Sequence, residues 1–332
     1  MILPLICSHS THSVLFMVPG LAFLYAGLAR RKNALSLIWA VIFANAVTIF
    51  TWYLWAYSLA FSPTATNGFI GNLHNIVLLN VTGLQAPSSI LIPDLLFAFF
   101  QLQFCAVTVG ILVGAIAERG RVMPAMIFTF FWVTLVYSPV AYWAWGLNGW
   151  GFKWGVLDYA GGGPVEIGSG VGGLAYSWVL GRRRPRELVN FRPHNVTLIA
   201  LGTFMLWFGW LGFNAGSAFG ANMRAITAAW NTCLAAAFSG ITWCLVRSFR
   251  SHIQSNPQVL THPPARFPFA KEVHRRRSLF RYYCWSRCCD PFVWIYSFLG
   301  VNRPRCCLWC SVQLQHKNQA LGAHRRRARS LC

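Results

Sequence analysis

About seven apolar stretches, each long enough to cross a bilayer as a helix, constrain the fold of this chain more than any other feature. They lie at roughly 12–29, 35–61, 94–117, 123–145, 163–181, 195–217 and 225–246. A bilayer core is about 30 Å thick and takes about 20 apolar residues per helix. Because lipid offers the backbone no partners, each segment must satisfy its own hydrogen bonds, as a helix does. The sequence therefore predicts an all-α fold, a polytopic bundle of membrane helices.

The composition argues against a soluble domain and, despite the charge, against a nucleic-acid-binding protein. Hydrophobic residues make up 56% of the 332 residues and charged residues only 11%. The formal net charge of +21 is unevenly distributed: residues 1–247 carry 13 Lys and Arg against 5 Asp and Glu, whereas residues 248–332 carry 15 against 2. This break predicts a transmembrane domain over 12–247 and a basic, Cys/Arg-rich tail over 248–332, which would bind anionic lipid beside a membrane.

Positively charged clusters follow alternate apolar stretches and predict the orientation of the chain. They are Arg30-Arg31-Lys32, Arg119 with Arg121, Arg182-Arg183-Arg184 with Arg186, and Arg247. Under strict alternation all of these clusters fall on one side, which the positive-inside rule makes cytoplasmic. The N-terminus then lies outside, together with the Asn80-Val81-Thr82 tripeptide, an acceptor pattern for glycosylation.

The run Phe208–Ser217 combines glycines, aromatic rings and polar groups inside one apolar stretch. Membrane helices associate by close packing, which small residues permit; the small residues here are Gly209, Gly212, Ala215 and Gly216. Trp210 and Phe213 are three residues apart and therefore share a helix face. Asn214 and Ser217 are polar where polar groups are unfavourable. The run predicts a crowded helix interface, which belongs either to an ordinary packed helix or to the wall of a functional site.

Acidic residues near the apolar stretches carry more specific hypotheses. Asp158 precedes the fifth stretch, where its carboxylate either caps a helix N-terminus or belongs to a site. Glu166 lies within that stretch, and we expect it to face a pore rather than only to support the structure. Glu118 adjoins Arg119, which predicts an ion pair at the cytoplasmic end of a helix.

Aromatic residues are concentrated in the third and fourth stretches. Trp143, Trp145 and Trp150 close the fourth stretch, where an interfacial aromatic belt is the simplest interpretation. Phe100 and Phe104 lie in the third stretch. A cation over aromatic faces gains roughly 0.5–2 kcal/mol per contact. An outward-facing aromatic cup with a hydroxyl beside it would bind a small cation, and an apolar constriction below it would reject hydrated ions and pass a neutral molecule.

Several motifs in a fixed order give the chain a recognisable pattern. They are Val18–Leu21, Tyr25–Asn33, Phe100–Arg119, Asp158–Gly162 and Gly209–Ser217. Over roughly residues 15–246 the chain resembles the ammonium transporter (Amt/Mep/Rh) family, and the glutamate at position 166 resembles fungal Mep members. The resemblance implies a transporter rather than an enzyme, without metal or other cofactor. It also implies a homotrimer in the lipid bilayer of the plasma membrane, with ammonium or ammonia as its substrate.

The resemblance further implies roles for individual residues. The external site that recruits ammonium is matched by Phe104, Trp145 and Ser217, with Asp158 as their support. The pore is matched by Phe100, Phe213, Trp210 and Glu166, where Phe213 stacks on Phe104 as a gate and Glu166 takes the first position of the family's pore pair. The implied mechanism is recruitment of NH4+, its deprotonation, and passage of NH3 while the proton is relayed separately.

The second half of the chain departs from the family pattern. The family has about ten or more transmembrane helices in two inverted repeats, whereas this chain has the first five-helix repeat and two helices of the second. Read one nucleotide later, permitted codons for Lys271 to Ala328 can spell two apolar helices joined by a turn, when the free third positions are chosen to do so. We therefore expect residues from about 248 onward to be out-of-frame or intron-derived and disordered, and the chain as written to be inactive in transport. The alternatives are a nonfunctional membrane fragment and a seven-helix receptor.

Overall fold

The computed structural model describes residues 2–81, 83, 85–86, 89–183 and 193–255. Within these residues, six helices are long and apolar enough to cross a membrane: Cys7–Leu28, Arg31–Phe61, Asp94–Gly114, Val122–Lys153, Val196–Gly216 and Met223–Arg247. Each of them overlaps one of the predicted stretches. The chain is therefore a polytopic helical membrane protein, as its sequence predicts.

The first two spans are built from four α-helices: α1 (Ile2–Leu15), α2 (Met17–Leu28), α3 (Arg31–Thr51) and α4 (Tyr57–Phe61). Arg30 has an extended backbone, which separates the first span from the second. A π-helical turn, Trp52–Ala56, joins α3 to α4. Such a turn interrupts the α-helical hydrogen-bond pattern and is frequent at functional sites.

A short hairpin precedes the third span. β1 (Gln85–Ala86) and β2 (Ser89–Pro93) pair antiparallel as a two-stranded sheet, which is a small addition to the predicted all-α fold. Asp94 is the first residue of α5 (Asp94–Gly114), where an acidic side chain interacts favourably with the helix dipole. A larger share of α5 is buried than of any other candidate span, so the core of the bundle is centred on this helix.

The fourth span also contains a π-helical turn. It runs through α6 (Val122–Trp132), the turn Val133–Tyr137 and α7 (Ser138–Trp145), and it is followed by α8 (Trp150–Lys153). Pro139 lies in the first turn of α7. Because proline has no N–H to donate to the preceding turn, a local change of helix type is expected there. Gly146 adopts an extended backbone, so α7 ends at Trp145.

The fifth predicted stretch, 163–181, forms a shorter helix that is not among the six candidate spans. A π-helical turn, Gly162–Ile167, leads into α9 (Gly168–Val179). Its many glycines add little apolar surface, but they allow close packing on α5. A Cβ atom at Gly172 would lie 2.7 Å from Leu112 Cδ1.

The last two spans are α10 (Val196–Gly216) and α11 (Met223–Ser255). The Asn195 side chain caps α10 by accepting a hydrogen bond of 3.1 Å from the Leu198 N–H. α11 continues to Ser255, beyond the end predicted for this span at 246 and beyond the predicted domain boundary at 247. From residue 256 onward, the predicted tail lies outside the described residues.

α10 crosses α1 and α2 at a closely packed interface. The glycine–neighbour pairs are Gly209 with Met17, Gly212 with Ser13, and Gly216 with Ser10, and a Cβ atom added at any of these glycines would overlap its neighbour. Small residues therefore allow the helices to approach closely here. The crowded interface predicted from Phe208–Ser217 is confirmed.

Candidate functional site

Two stacked phenylalanine rings lie at the centre of the bundle. α5 contributes Phe104 and α10 contributes Phe213; their ring centroids are 3.9 Å apart and their planes differ by 19°. Both side chains are only 1% exposed. The separation is that of carbon atoms in van der Waals contact, so the rings leave no room for a hydrated ion between them. We call the end of the bundle that carries Trp145 and Ser217 the site end.

Trp145 adjoins the stacked rings from the last turn of α7. Its indole meets the Phe104 ring edge-on, with centroids 6.2 Å apart and planes at 84°, and its Nε1–H donates to the Asp158 carbonyl oxygen at 3.0 Å. Trp143 and Trp150 instead lie against each other, with ring centroids 5.8 Å apart. The three tryptophans that the sequence groups as one belt therefore divide into two environments.

Asp158 uses its backbone and its side chain for different contacts. While its carbonyl oxygen holds Trp145, its carboxylate accepts hydrogen bonds of 2.6, 3.1 and 2.7 Å from the N–H groups of Gly161, Gly162 and Gly163. These bonds cap the π-helical turn that carries Glu166. Gly161 has a φ of +101°, a conformation that favours glycine. The capping interpretation of Asp158 is confirmed, and its role in a site stays a prediction, supported by the contact of its carbonyl oxygen with Trp145.

Ser217 follows the last residue of α10 and lies one helical turn after Phe213. Its hydroxyl is buried and donates to the Phe213 carbonyl oxygen at 2.8 Å. A serine oxygen that donates its hydrogen still has lone pairs that accept hydrogen bonds. Ser217 can therefore offer an acceptor to a cationic N–H group at the site end.

Phe100 extends the aromatic cluster along α5. Its ring centroid lies 4.8 Å from that of Phe104 and 5.8 Å from that of Phe219. Sequence analysis missed Phe219, which follows α10 with a positive φ of 52°. No motif singles it out, because its contact depends on how the chain turns after α10.

Trp210 lies one helical turn before Phe213 in α10. The two rings stack with centroids 5.1 Å apart and planes at 25°, so they share a helix face as their spacing predicts. Trp210 is 6% exposed. The aromatic column therefore continues from Phe104 through Phe213 to Trp210.

Glu166 lies in the π-helical turn Gly162–Ile167 and is half-buried. The Ser169 hydroxyl donates to its backbone carbonyl oxygen at 3.1 Å. Its carboxylate interacts electrostatically with buried Tyr25 on α2. Tyr25 belongs to a family motif but had no predicted role, since nothing in the sequence relates it to Glu166.

A second aromatic layer supports Trp145. The Phe61 ring, at the end of α4, lies parallel to the indole with centroids 6.4 Å apart and planes differing by 10°. Phe97 on α5 meets Phe61 edge-on at 5.1 Å. Sequence analysis missed both phenylalanines, because they contribute to the site only through their contacts with other rings.

The opposite end of the bundle carries an ion-pair cluster around the buried carboxylate of Glu118. Glu118 Oε2 lies 2.6 Å from Arg183 Nη1, and Glu118 Oε1 lies 3.7 Å from Arg30 Nε. The predicted pair of Glu118 with Arg119 is wrong: the Arg119 guanidinium donates to the Gly181 carbonyl oxygen. Glu118 has a positive φ of 66°, so the chain turns after α5 and adjacent side chains diverge.

A groove of about 660 Å³ lies beside the site end, between the loop before α9 and α11. Tyr159, Asn214 and Arg224 help to line it. Asn214 Nδ2 donates to Thr232 Oγ1 at 2.8 Å. Burial raises the pKa of Tyr159, and the nearby Arg224 opposes part of that change. Within the described part of the chain, no group of three His, Cys, Asp or Glu side chains could hold a metal ion.

Comparison with known proteins identifies the group to which this architecture belongs. The sequence matches the profile described as "Ammonium Transporter Family" over residues 5–260. This chain belongs to the ammonium transporter family. The match begins before and ends after the region over which the motifs alone show the resemblance.

The chain is similar to fungal members of the ammonium transporter family in particular. It is 56% identical over 234 residues to ammonium transporter MEP3 of Saccharomyces cerevisiae, a match covering 70% of this chain and 48% of the relative. Ammonium transporter 2 of Schizosaccharomyces pombe is 54% identical over 231 residues, covering 70% and 45%. The chain therefore spans about half the length of the curated relatives it matches.

Solved structures show the same relationship. The crystal structure of Saccharomyces cerevisiae Mep2 superposes with a TM-score of 0.70 at 46% identity, covering 75% of this chain and 57% of that one. That of Candida albicans Mep2 gives 0.71 at 44% identity, covering 75% and 55%. These relatives are transporters, so the alternative of a seven-helix receptor has no support.

Proposed function

We propose that this ammonium transporter family member takes part in moving ammonium across the membrane. It recruits NH4+ at the site end, removes a proton, and conducts NH3 between the helices while the proton is relayed separately. The observation that carries this proposal is the closed stack of Phe104 and Phe213 beneath Trp145 and Ser217. The similarity to proteins named ammonium transporters supports the same substrate.

The aromatic site end suits a small cation. Contacts with the Trp145 and Phe104 rings would each contribute roughly 0.5–2 kcal/mol, and Ser217 would accept a hydrogen bond. An ammonium ion that moves further must lose its hydration, which is strongly unfavourable for a charge in an apolar environment. Loss of a proton gives a neutral molecule, for which an apolar passage is a much smaller barrier.

Glu166 is the proposed proton acceptor or relay. It is the acidic side chain of the π-helical turn that Asp158 caps, and it interacts electrostatically with Tyr25. A carboxylate held at membrane depth is a group that can take up and release a proton.

The proposed location is the plasma membrane, with the N-terminus outside and three subunits per assembly. The ion pairs of Glu118 with Arg30 and Arg183 support the orientation, since they join residues from three of the predicted basic ends at one end of the bundle. Arg184 and Arg186 lie outside the described residues. Loss of a glycan in Asn80→Gln would test the outside location of that loop.

We also propose that residues 248–332 are a separate basic tail, translated out of frame or from an intron. The support is compositional: this segment carries 15 Lys and Arg against 2 Asp and Glu. A nonfunctional membrane fragment is the second candidate for the chain as written. The nucleotide sequence across codons 240–275 decides between a shifted frame or retained intron and a continuous frame.

The test of the transport proposal is uptake by yeast cells that lack ammonium transporters. We expect the protein with its frame restored after about residue 247 to accumulate radiolabelled methylammonium. Added ammonium should compete for the same site and reduce this accumulation. A fluorescent tag would verify that the protein reaches the plasma membrane. A correctly located protein that takes up neither cation would contradict the proposal.

A further inference from the structure

A buried hydrogen bond joins the second and third spans beside the aromatic support of Trp145. The Tyr57 hydroxyl on α4 donates to Asp94 Oδ1, at the first residue of α5, over 2.5 Å. The two residues are only 1% and 6% exposed, respectively. A buried carboxylate is strongly unfavourable unless it is hydrogen-bonded, so this bond fixes how the ends of α4 and α5 meet.

The Tyr57–Asp94 bond is connected to Trp145 through one ring. Tyr57 and Phe61 lie four residues apart and face each other on α4, with ring centroids 5.7 Å apart. Phe61 in turn lies parallel to the Trp145 indole. We propose that Tyr57 and Asp94 are a positioning pair that sets the orientation of Trp145 through Phe61, and thereby the affinity of the site for an ammonium-type cation. This inference rests on the proposed function.

Trp145 needs such support because its own hydrogen bond does not prevent the indole ring from tilting. The bond from Nε1 to the Asp158 carbonyl fixes one edge of the indole, and the ring can still tilt about that edge. Phe61 lies parallel to the indole, with ring centroids 6.4 Å apart, and in the proposal this neighbouring ring restricts the tilt. Since a cation binds over the face of a ring, a tilt of Trp145 changes the distance and direction of that contact.

The layer behind Trp145 is firmly attached to α5. Phe61 meets Phe97 edge-on and lies 6.2 Å from Trp52, whose Nε1–H donates to the Ala98 carbonyl oxygen at 3.1 Å. These contacts hold Phe61 laterally. The Tyr57–Asp94 bond holds α4 against the start of α5 one turn before Phe61, and thereby sets the position of Phe61 relative to Trp145.

Fluorine NMR of the 332-residue chain tests this inference directly. The chain would be labelled with 5-fluorotryptophan, placed in phospholipid nanodiscs and titrated with methylammonium, and the Trp145 signal would be assigned by its loss in Trp145→Phe. We expect Tyr57→Phe to shift the Trp145 signal without cation and to raise the apparent methylammonium dissociation constant roughly two- to tenfold, as for loss of one hydrogen bond. Tyr53→Phe is the matched control, since Tyr53 lies on the same span and is 46% exposed.

The Asp94→Asn variant separates positioning from simple charge attraction. Asp94→Asn keeps a carbonyl acceptor for the Tyr57 hydroxyl, so we expect it to retain most of the affinity. An unchanged Trp145 signal in Tyr57→Phe would overturn the inference, as would weak binding in Asp94→Asn with normal binding in Tyr57→Phe. A wild-type Trp145 signal that does not respond to methylammonium contradicts cation recruitment by the chain as written, while the shift without cation still decides the positioning role.

Discussion

Trp145 shows how one helix gives neighbouring residues of the same type different environments. Trp143 and Trp145 are two positions apart, so they project from α7 in directions about 200° apart. The Trp143 Nε1–H donates to the Phe69 carbonyl oxygen at 2.7 Å, in the loop after α4, whereas Trp145 turns toward Phe104. Trp143 therefore contacts the loop after α4, whereas Trp145 contacts the aromatic cluster, so the predicted interfacial belt does not account for the contacts of Trp145.

The first prediction concerns Trp145 in the frame-restored protein. Trp145→Leu removes an aromatic face from the site end, and we expect the concentration of ammonium needed for half-maximal uptake to rise by about fivefold, the equivalent of one cation–π contact. Trp143→Leu is the matched control and should leave uptake kinetics unchanged. Equal kinetics for wild type and Trp145→Leu at low ammonium would show that Trp145 only anchors the helix end.

The second prediction concerns the proton. We expect Glu166→Gln to change the dependence of uptake on external pH, because an amide cannot take up the proton that a carboxylate accepts. Glu166→His restores a titratable group, and transport should continue with a shifted pH optimum. Uptake would be measured between about pH 4 and 8, the range in which carboxylates and imidazoles titrate. If both variants have the wild-type rate and pH profile, Glu166 is structural.

At the scale of elements, α10 is the helix whose packing was best specified by its sequence. Its small residues meet α1 and α2, and its aromatic residues meet α5 on another face. These properties follow from spacing along a single helix. The two faces of α10 were predictable because close packing requires only small residues on one face and apolar residues on the other, whatever the identity of the neighbouring helix.

The third prediction tests this packing. Gly209→Leu forces a side chain into the space occupied by Met17, and overpacking of this kind destabilises by about 1–3 kcal/mol. We expect a lower midpoint temperature for thermal unfolding in detergent and less protein in the membrane. Gly168→Ala is the control, since a Cβ atom there has its nearest neighbour at 3.6 Å. Equal midpoints for both variants would contradict the close helix crossing.

Other elements could not be predicted, because they depend on contacts between distant parts of the chain. The π-helical turn at Trp52–Ala56 places residues of α4 against α5, and no local pattern marks it. The partner of Glu118 was predicted wrongly for the same reason: proximity in sequence favoured Arg119, whereas the fold brings Arg183 to the carboxylate. The aromatic residues named from motifs came together with Asp158 and Ser217. The residues that support them had to be found in the structure.

At the scale of the whole molecule, the described helices differ in how much of their surface is buried against other helices. Of the 18 most apolar consecutive residues, 83% are buried in α5, whereas only 17% are buried in α11. The groove between Tyr159, Asn214 and Arg224 lies on the α11 side. The part of the bundle near α11 therefore has few contacts within the described residues.

The fourth prediction belongs to this scale. We expect the 332-residue chain as written to give no growth on limiting ammonium in yeast lacking ammonium transporters, because a tail this charged cannot cross the bilayer and cover α11. The version with its frame restored after about residue 247 should support growth. Both would be compared at equal membrane abundance. Growth from the unmodified chain would contradict the prediction.

Asp158 joins two tasks that a transporter could have kept apart. Its carbonyl oxygen holds the indole at which we propose that the cation arrives, and its carboxylate holds the start of the turn that carries Glu166, the proposed proton acceptor. In the proposed mechanism, a shift of this residue would therefore affect both cation recruitment and proton uptake. A genetic screen that scores only uptake would find substitutions at Asp158 impossible to assign to either step, and second-site revertants would have to repair both.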